Sequence, residues 1–332
     1  MDKNIAVIGC GYWGKNLVRN FVELGALHTI CDSDPKALSK LGALYPSVSK
    51  ETNIDAILDN KEIRGVVIAL PSALHYPTAK KALLADKDVF VEKPLTSKSS
   101  QARELVELAE KRKRILMVGH LMLYHPAVHV LKRHIQSGDL GEIYYLYSTR
   151  VNLGQVRSDE SALWRLAPHD ISLFLYLLDT VPEAVSAQGI SYVQQHLEDV
   201  VFITLQFPRK VLAHIHASWL DPHKIRQLTV VGSKKMAVFD DMDPEHKLRI
   251  YDQGVIDDYN ELASASGALA LRSEGVLLPI VDLAEPLSLE CHHFLECIKN
   301  RSKPLSDGKQ GLEVVRILEK IEEAMKSRAA KS

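Results

Sequence analysis

The chain has 332 residues, 46% of them hydrophobic and 25% charged, with 41 Lys and Arg against 42 Asp and Glu and a formal charge of -1. That length accommodates two domains with a core each, and the even balance excludes a general attraction to nucleic acid or to an anionic membrane, leaving only local basic pockets for phosphorylated ligands. No basic segment followed by an apolar run and a cleavage site opens the chain, and no stretch of about 18 apolar residues occurs, so a cytoplasmic protein with no membrane or nucleic-acid partner is expected.

Residues 3–8 form a short apolar run ending in glycine, the pattern of a buried parallel strand. Gly14 to Leu24 has helical periodicity, with Leu17, Val18, Phe21 and Leu24 on one face. His28 to Asp32 reads as a strand, Ala37 to Leu44 as a helix and Ile63 to Leu70 as a further buried strand. Pro77 to Ala85 is a helix opened by proline, Asp88 to Val91 a strand, Ser99 to Arg112 a helix and Ile115 to Val118 a strand. Alternation of this kind specifies a doubly wound parallel sheet over residues 1–120.

Beyond residue 120 the pattern changes. Leu121 to Ser137 is helical, and longer strands follow at Ile143–Val151, Ala184–Tyr192, Asp199–Phe207, Val211–Trp219 and Arg226–Val231. Residues 121–332 are therefore expected to form an α+β domain with a large, mostly antiparallel sheet, covered on one face by helices near 168–178 and 286–300. Segment 252–285, rich in Asp, Ala, Ser and Gly, reads as an irregular excursion. Cys10, Cys31, Cys291 and Cys297 form no CxxC pair and are expected as free thiols. Cys291-His292-His293 is not expected to bind metal, because adjacent helical residues point in different directions.

Four motifs carry chemistry. Gly9-Cys10-Gly11-Tyr12-Trp13-Gly14 follows a strand and opens a helix, the context in which a glycine turn presents free N–H groups to a dinucleotide diphosphate. Asp32 ends the second strand, 18 residues after Gly14, where a carboxylate accepts from ribose hydroxyls and repels a 2′-phosphate. With Ser33, Asp34 and Pro35 following and no arginine, the cofactor is expected to be NAD. Leu70-Pro71 with His75, and Glu92-Lys93-Pro94, close two further strands at the sheet edge that lines a cofactor crevice. Lys93 there can donate to a substrate oxygen and stabilise growing negative charge, and Pro94 admits a cis peptide. Trp164-Arg165-Leu166-Ala167-Pro168-His169-Asp170 precedes an apolar helix, with Pro168 suited to its start and His169 titrating near neutrality.

The ordered set Gly9–Gly14, Asp32, Pro71 with His75, Glu92-Lys93-Pro94, Gly119-His120 and His169 resembles the Gfo/Idh/MocA oxidoreductase family over nearly the whole chain. The resemblance implies a Rossmann domain followed by a substrate-binding and oligomerisation domain, with Lys93 and His169 as the catalytic pair. Family members often carry Asp four positions before that histidine, where this chain has Arg165. Gly11–Asn16, Leu163–Ile171, Ser218–Pro222 and Thr229–Ser233 look like the branch that acts on nucleotide sugars. This implies NAD-dependent oxidation of the 3-hydroxyl of UDP-N-acetylglucosamine or its uronate to a ketone, which an aminotransferase would then use in making an amino sugar for lipid A or surface polysaccharide.

Candidate substrate-binding groups are Tyr124, Arg150, Asn152, Arg157, Trp164, Arg165, Asp170 and Arg226, the arginines as donors to a diphosphate or carboxylate. Rival readings are a dehydrogenase of a free sugar, inositol or polyol, an NAD-dependent glycosidase, and a non-enzymatic NAD-binding redox sensor; the last has no need of Lys93 and His169. Strands such as 201–203 and 212–215 carry apolar residues on both faces, which points to a dimer or tetramer formed through the second sheet.

Overall fold

The computed structural model describes residues 3–154, 160–256 and 270–329. The chain forms two compact units. One runs to Tyr124 and takes in Ala284–Glu319; the other runs from His125 to Leu283 and takes in the chain from Lys320 onward. The units are therefore not the sequence halves 1–120 and 121–332, since a late segment returns to the first.

The first unit is built from β1 (Ile5–Ile8), α1 (Gly14–Glu23), β2 (Leu27–Cys31), α2 (Pro35–Leu44), β3 (Ser49–Glu51), α3 (Ile54–Asp59), β4 (Gly65–Ile68), α4 (His75–Leu84), β5 (Asp88–Glu92), α5 (Ser99–Arg112) and β6 (Leu116–Gly119). Its strands pair in the order β3-β2-β1-β4-β5-β6, every pair parallel. This is the doubly wound α/β sheet expected from the alternating pattern. β1, β4 and β6 are buried along their whole length, which is why they are continuous apolar runs rather than alternating ones. β3 and α3 were not foreseen: β3 is polar and partly exposed, and the short α3 is fixed by Asn53, whose side chain accepts from Asp55 N–H at 2.9 Å.

The second unit holds α6 (Pro126–Gln136), β7 (Ile143–Val151), α7 (Ala162–Leu178), β8 (Ala184–Ile190), β9 (Val200–Gln206), β10 (Leu212–Ser218), β11 (Ile225–Gly232), β12 (Met236–Asp240), β13 (Leu248–Ile256) and β14 (Ala270–Leu277). They form an eight-stranded sheet, β14-β13-β12-β11-β7-β10-β9-β8, antiparallel except for the β7–β10 pair. α7 packs on β7, β9 and β10, and α6 on β12. Val201, Ile203, Leu205, Ala213, Ile215 and Ala217 are buried, while Phe202, Leu212, Tyr145 and Tyr147 are exposed on the opposite face. Apolar residues thus occur on both faces, as the pattern of these strands indicated.

Three expectations are corrected. Segment 252–285 is not irregular throughout: β13 and β14 pair from Ile250↔Leu277 to Ile256↔Ala270, their polar residues having hidden the alternation. Pro168 does not start a helix but lies inside α7. The helix begins earlier because Ala162, Leu163 and Ala167 supply buried positions; proline there deletes one backbone hydrogen bond without ending the helix. The helix at 286–300, α8 (Pro286–Asn300), belongs to the first unit and not to that of the second sheet. Its apolar stripe docks in the first unit, where Phe294 meets Phe21 and Phe90 edge-on, with centroids 6.5 and 5.6 Å apart. Each such fully buried phenylalanine contributes about 1.5–3 kcal/mol. α9 (Gly308–Ala329) follows.

Candidate active site

The glycine turn between β1 and α1 is defined by what cannot be added to it. Gly9 has φ +97°, and a Cβ there would lie 2.5 Å from Ala69 O. A Cβ on Gly14 would lie 1.9 Å from Gly9 O, so the helix can press against the turn only without one. A Cβ on Gly11 would meet nothing within 4 Å, so its backbone is open to a ligand. α1 has no acidic residue in its first turn to repel a diphosphate. Tyr12 is exposed, with Lys15 Nζ 5.2 Å from its ring centroid.

Asp32 closes the far side of this turn. Its Oδ2 accepts from Cys10 N–H at 2.6 Å and its Oδ1 from Asp34 N–H at 2.9 Å. Each oxygen keeps a lone pair for ribose hydroxyls. Burial, then the Asp32 charge, pushes the Cys10 thiol up to about 12; burial, then Glu51, does the same for Cys31. Both are neutral space-fillers. All four cysteines are free.

The ends of β4, β5 and β6 assemble around two residues the motifs named. His75 is buried and spans two carbonyls, Pro94 O at 2.7 Å from Nδ1 and Leu70 O at 2.8 Å from Nε2. It ties the turn after β4, with Pro71, to the turn after β5. The Lys93–Pro94 peptide is cis. Glu92 Oε1 accepts the Trp13 indole N–H at 2.6 Å, and its Oε2 accepts the Lys93 backbone N–H at 3.3 Å. Gly119 pairs with Glu92 across the sheet, and a Cβ at Gly119 would fall 2.9 Å from Glu92 Oε2. Glu92 is thus a hub joining the glycine turn, β6 and the lysine segment.

His120, next after Gly119, is 1% exposed, and neither ring nitrogen has a hydrogen-bond partner among the described residues. Burial, then the Lys93 charge, lowers it to about 3, so it is a neutral imidazole. Tyr124 lies inside the first unit, its hydroxyl 3.0 Å from Ser306 Oγ, and burial holds it above the usual phenol range. Glu290 is a residue the motifs missed. It is wholly buried, neither carboxyl oxygen has a hydrogen-bond partner among the described residues, and burial, then the Glu92 charge, raises it well above the carboxylate range. The available signal was an acid on an apolar helix face, between Leu287 and Phe294 at helical spacing.

In the second unit, α7 carries Trp164, Arg165, His169 and Asp170. Asp170 is paired bidentately with Arg150 of β7, Nε to Oδ2 2.7 Å and Nη2 to Oδ1 3.0 Å, and both are buried. Burial works against the Arg150 charge, but Asp170 and then Asp241 raise its pKa. Arg226 reaches Asp241 at 3.3 Å, and His125 stands 3.9 Å from it. The structure therefore gathers Arg150, Asp170 and Arg226 around Asp241. Trp164 Nε1 donates to Glu322 at 2.6 Å, and Arg165, partly exposed, pairs with Glu160 at 3.6 Å. Asn152 N–H donates to Ser218 O. The His169 carbonyl accepts from the Ser172 hydroxyl at 2.8 Å. Arg157 lies outside the described residues. Among the described residues, no helix is long and apolar enough to cross a membrane and no cluster of three or more His, Cys, Asp or Glu could hold a metal ion.

Residues 3–120 match the NAD-binding Rossmann fold of the oxidoreductase family GFO_IDH_MocA, and residues 128–238 match the GFO/IDH/MocA C-terminal domain. The chain is 26% identical over 317 residues, 93% of each chain, to UDP-N-acetylglucosamine 3-dehydrogenase of Acidithiobacillus ferrooxidans. The solved structure of that enzyme, 23% identical in the superposition, has a TM-score of 0.83 over 98% of each chain. The chain is also 25% identical to scyllo-inositol 2-dehydrogenase (NAD(+)) of Bacillus subtilis, covering 90% of this chain and 87% of that one. Levoglucosan dehydrogenase, solved with NADH and levoglucosan, shares the fold at a TM-score of 0.81, 20% identity and 98% coverage of each chain.

Proposed function

The chain belongs to the GFO/IDH/MocA oxidoreductase family, and from that premise we propose that it is an NAD-dependent dehydrogenase oxidising the 3-hydroxyl of a UDP-N-acetyl sugar, UDP-N-acetylglucosamine or its uronate, to the 3-ketone. The observation that carries the choice of substrate is the likeness, along 93% of both chains, to a relative named for that reaction.

In this reading Gly9, Gly11, Tyr12, Trp13 and Gly14 cradle the diphosphate, Asp32 takes the adenosine ribose, and Leu70, Pro71, His75, Glu92, Pro94 and His120 shape the wall behind the reacting end. NAD, when bound, supplies the hydride acceptor. The sugar C3 gives up a hydride and O3 a proton. Lys93 donates to O3 and steadies the negative charge that grows there, and His169 exchanges the proton. Arg226 and Arg165 are the cations for the uridine diphosphate, joined by Arg157, Asn152 and Trp164. Arg150 and Asp170, satisfied by each other, and the buried Tyr124 support the site without touching substrate. The exposed sheet face around Tyr145, Tyr147 and Phe202 joins copies into a dimer or tetramer in the cytoplasm, which light scattering reads directly. The ketone suits a following aminotransferase, in amino-sugar synthesis for lipid A or surface polysaccharide.

The test mixes the protein with NAD and each UDP-sugar, and follows NADH absorbance and the keto-sugar by mass spectrometry. A quenched single turnover catches NADH held on the enzyme. Neither product with any UDP-sugar overturns the reading. A second reading, oxidation of a free sugar or inositol, draws on the likeness to scyllo-inositol 2-dehydrogenase and predicts turnover without the nucleotide.

A further inference from the structure

We propose that Glu290 is a positioning residue of the cofactor site: an un-ionised carboxylic acid whose dipole keeps the Glu92 carboxylate turned towards Trp13 and the Lys93 amide. The placement follows from packing. Phe294 meets Phe90 with centroids 5.6 Å apart. Glu290 is one helical turn before Phe294, and Glu92 is two residues after Phe90 on the same side of its strand. One turn of helix advances about 5–6 Å and two strand residues about 6.6 Å. Arg301, just past the end of α8, pairs with Asp88 at the start of β5 at 2.7 Å, so helix and strand run in opposite directions, and where Phe294 covers Phe90, Glu290 stands on the Glu92 side.

A carboxyl group that is wholly buried beside a partly buried carboxylate is strongly disfavoured as an anion, by desolvation and by the like charge, so the pair holds a proton. Glu92 has N–H donors from Trp13 and Lys93 that stabilise its anion. Glu290 has none among the described residues. The other titratable groups that bear on Glu290 are the Tyr124 phenol after β6 and the Cys291 thiol on its own helix, both held protonated by burial. Arg19 on α1 is engaged with Glu23 and Glu285 at the exposed start of α8. The proton thus belongs to Glu290, and native interiors keep very few polar groups so poorly matched without a use. Here the use is at hand, because Glu92 aligns the glycine turn with the lysine segment.

This rests on NAD binding by residues 3–120 and not on the identity of the sugar, so the test measures cofactor affinity and spectra without substrate. The infrared spectrum of the full chain at neutral pH should carry the carbonyl stretch of a buried carboxylic acid, shifted in D2O and absent from Glu290→Gln. Glu290→Gln, neutral and polar, should bind NAD within twofold of the parent. Glu290→Met, of similar length but apolar, should bind NAD about fivefold to tenfold more weakly, the loss of one hydrogen-bond-sized interaction. Glu290→Ala is the second apolar variant should Glu290→Met not fold. A spectrum without that band, a band that survives Glu290→Gln, or apolar variants that bind NAD like the parent would each overturn the proposal. Failure of the parent itself to bind NAD would instead strike at the cofactor reading.

Discussion

The indole N–H of Trp13 donates to Glu92 Oε1 at 2.6 Å, and this one bond fastens the glycine turn to the end of the strand that Lys93 follows. Trp13→Phe keeps the ring and removes the donor. It should weaken NAD binding about fivefold while costing about 1–2 kcal/mol in stability, since a partly buried carboxylate loses a charge-assisted partner. Fluorescence titration with NAD and urea denaturation separate the two effects. An unchanged affinity would mean that the glycine turn holds its shape without Glu92.

Asp32 and Lys93 should separate binding from chemistry. Asp32→Ala removes the ribose acceptor and also the anchor of the Cys10 and Asp34 amides, so NAD affinity should fall by roughly tenfold or more. Discrimination against NADP should narrow in the same variant. Lys93→Met should leave NAD affinity nearly intact and abolish turnover. Titration with both cofactors, followed by single-turnover kinetics, reads each arm, and full activity in Lys93→Met would remove lysine from the chemistry.

His120 gives a pH dependence of definite sign. Its folded pKa is depressed from 6.5 to about 3, burial being the larger cause and Lys93 the lesser. Between those values the unfolded chain binds a proton that the folded chain refuses, so stability falls as pH falls, with a slope of up to about 1.4 kcal/mol per pH unit. Above 6.5 both states are neutral at this site and the contribution is flat. His120→Asn cannot titrate and should flatten the acid limb. Urea midpoints measured at intervals from neutrality to pH 4 check it; equal slopes in both proteins would place the acid sensitivity elsewhere.

How much of this was legible in the sequence depends on what each signal encodes. Buried strands such as 65–68 are legible because both faces are covered and the apolar run is unbroken. The glycine turn is legible because sterics at Gly9 and Gly14 admit no other residue. The docking of α8 is not, since periodicity tells which face of a helix is apolar and not which core receives it. β13 and β14 escaped notice because polar and charged residues, engaged in pairs such as Arg272 with Asp252, break up their apolar pattern. The partners of Trp13, His75 and Arg150 were equally hidden: each bond spans between 19 and 79 positions or reaches a backbone atom. Glu290 was written in plain view, but a single acid on an apolar stripe becomes informative only when its neighbour proves to be Glu92.

The Arg150–Asp170 pair is the ionic anchor of α7, and it sits beside His169 in sequence. Removing one partner leaves the other charged, buried and uncompensated, which costs about 3–5 kcal/mol. Asp170→Asn should therefore destabilise strongly, and Arg150→Lys less so, because an ammonium keeps the charge but not the two-point geometry. Replacing both at once by Arg150→Met and Asp170→Leu should recover most of the loss, since no charge remains to be stranded. If the pair also sets the orientation of His169, the double variant will regain its thermal midpoint while turnover stays low. If stability and turnover return together, the pair is structural and the histidine is oriented by the rest of α7. Denaturation midpoints and single-turnover rates on the same four proteins decide between these outcomes.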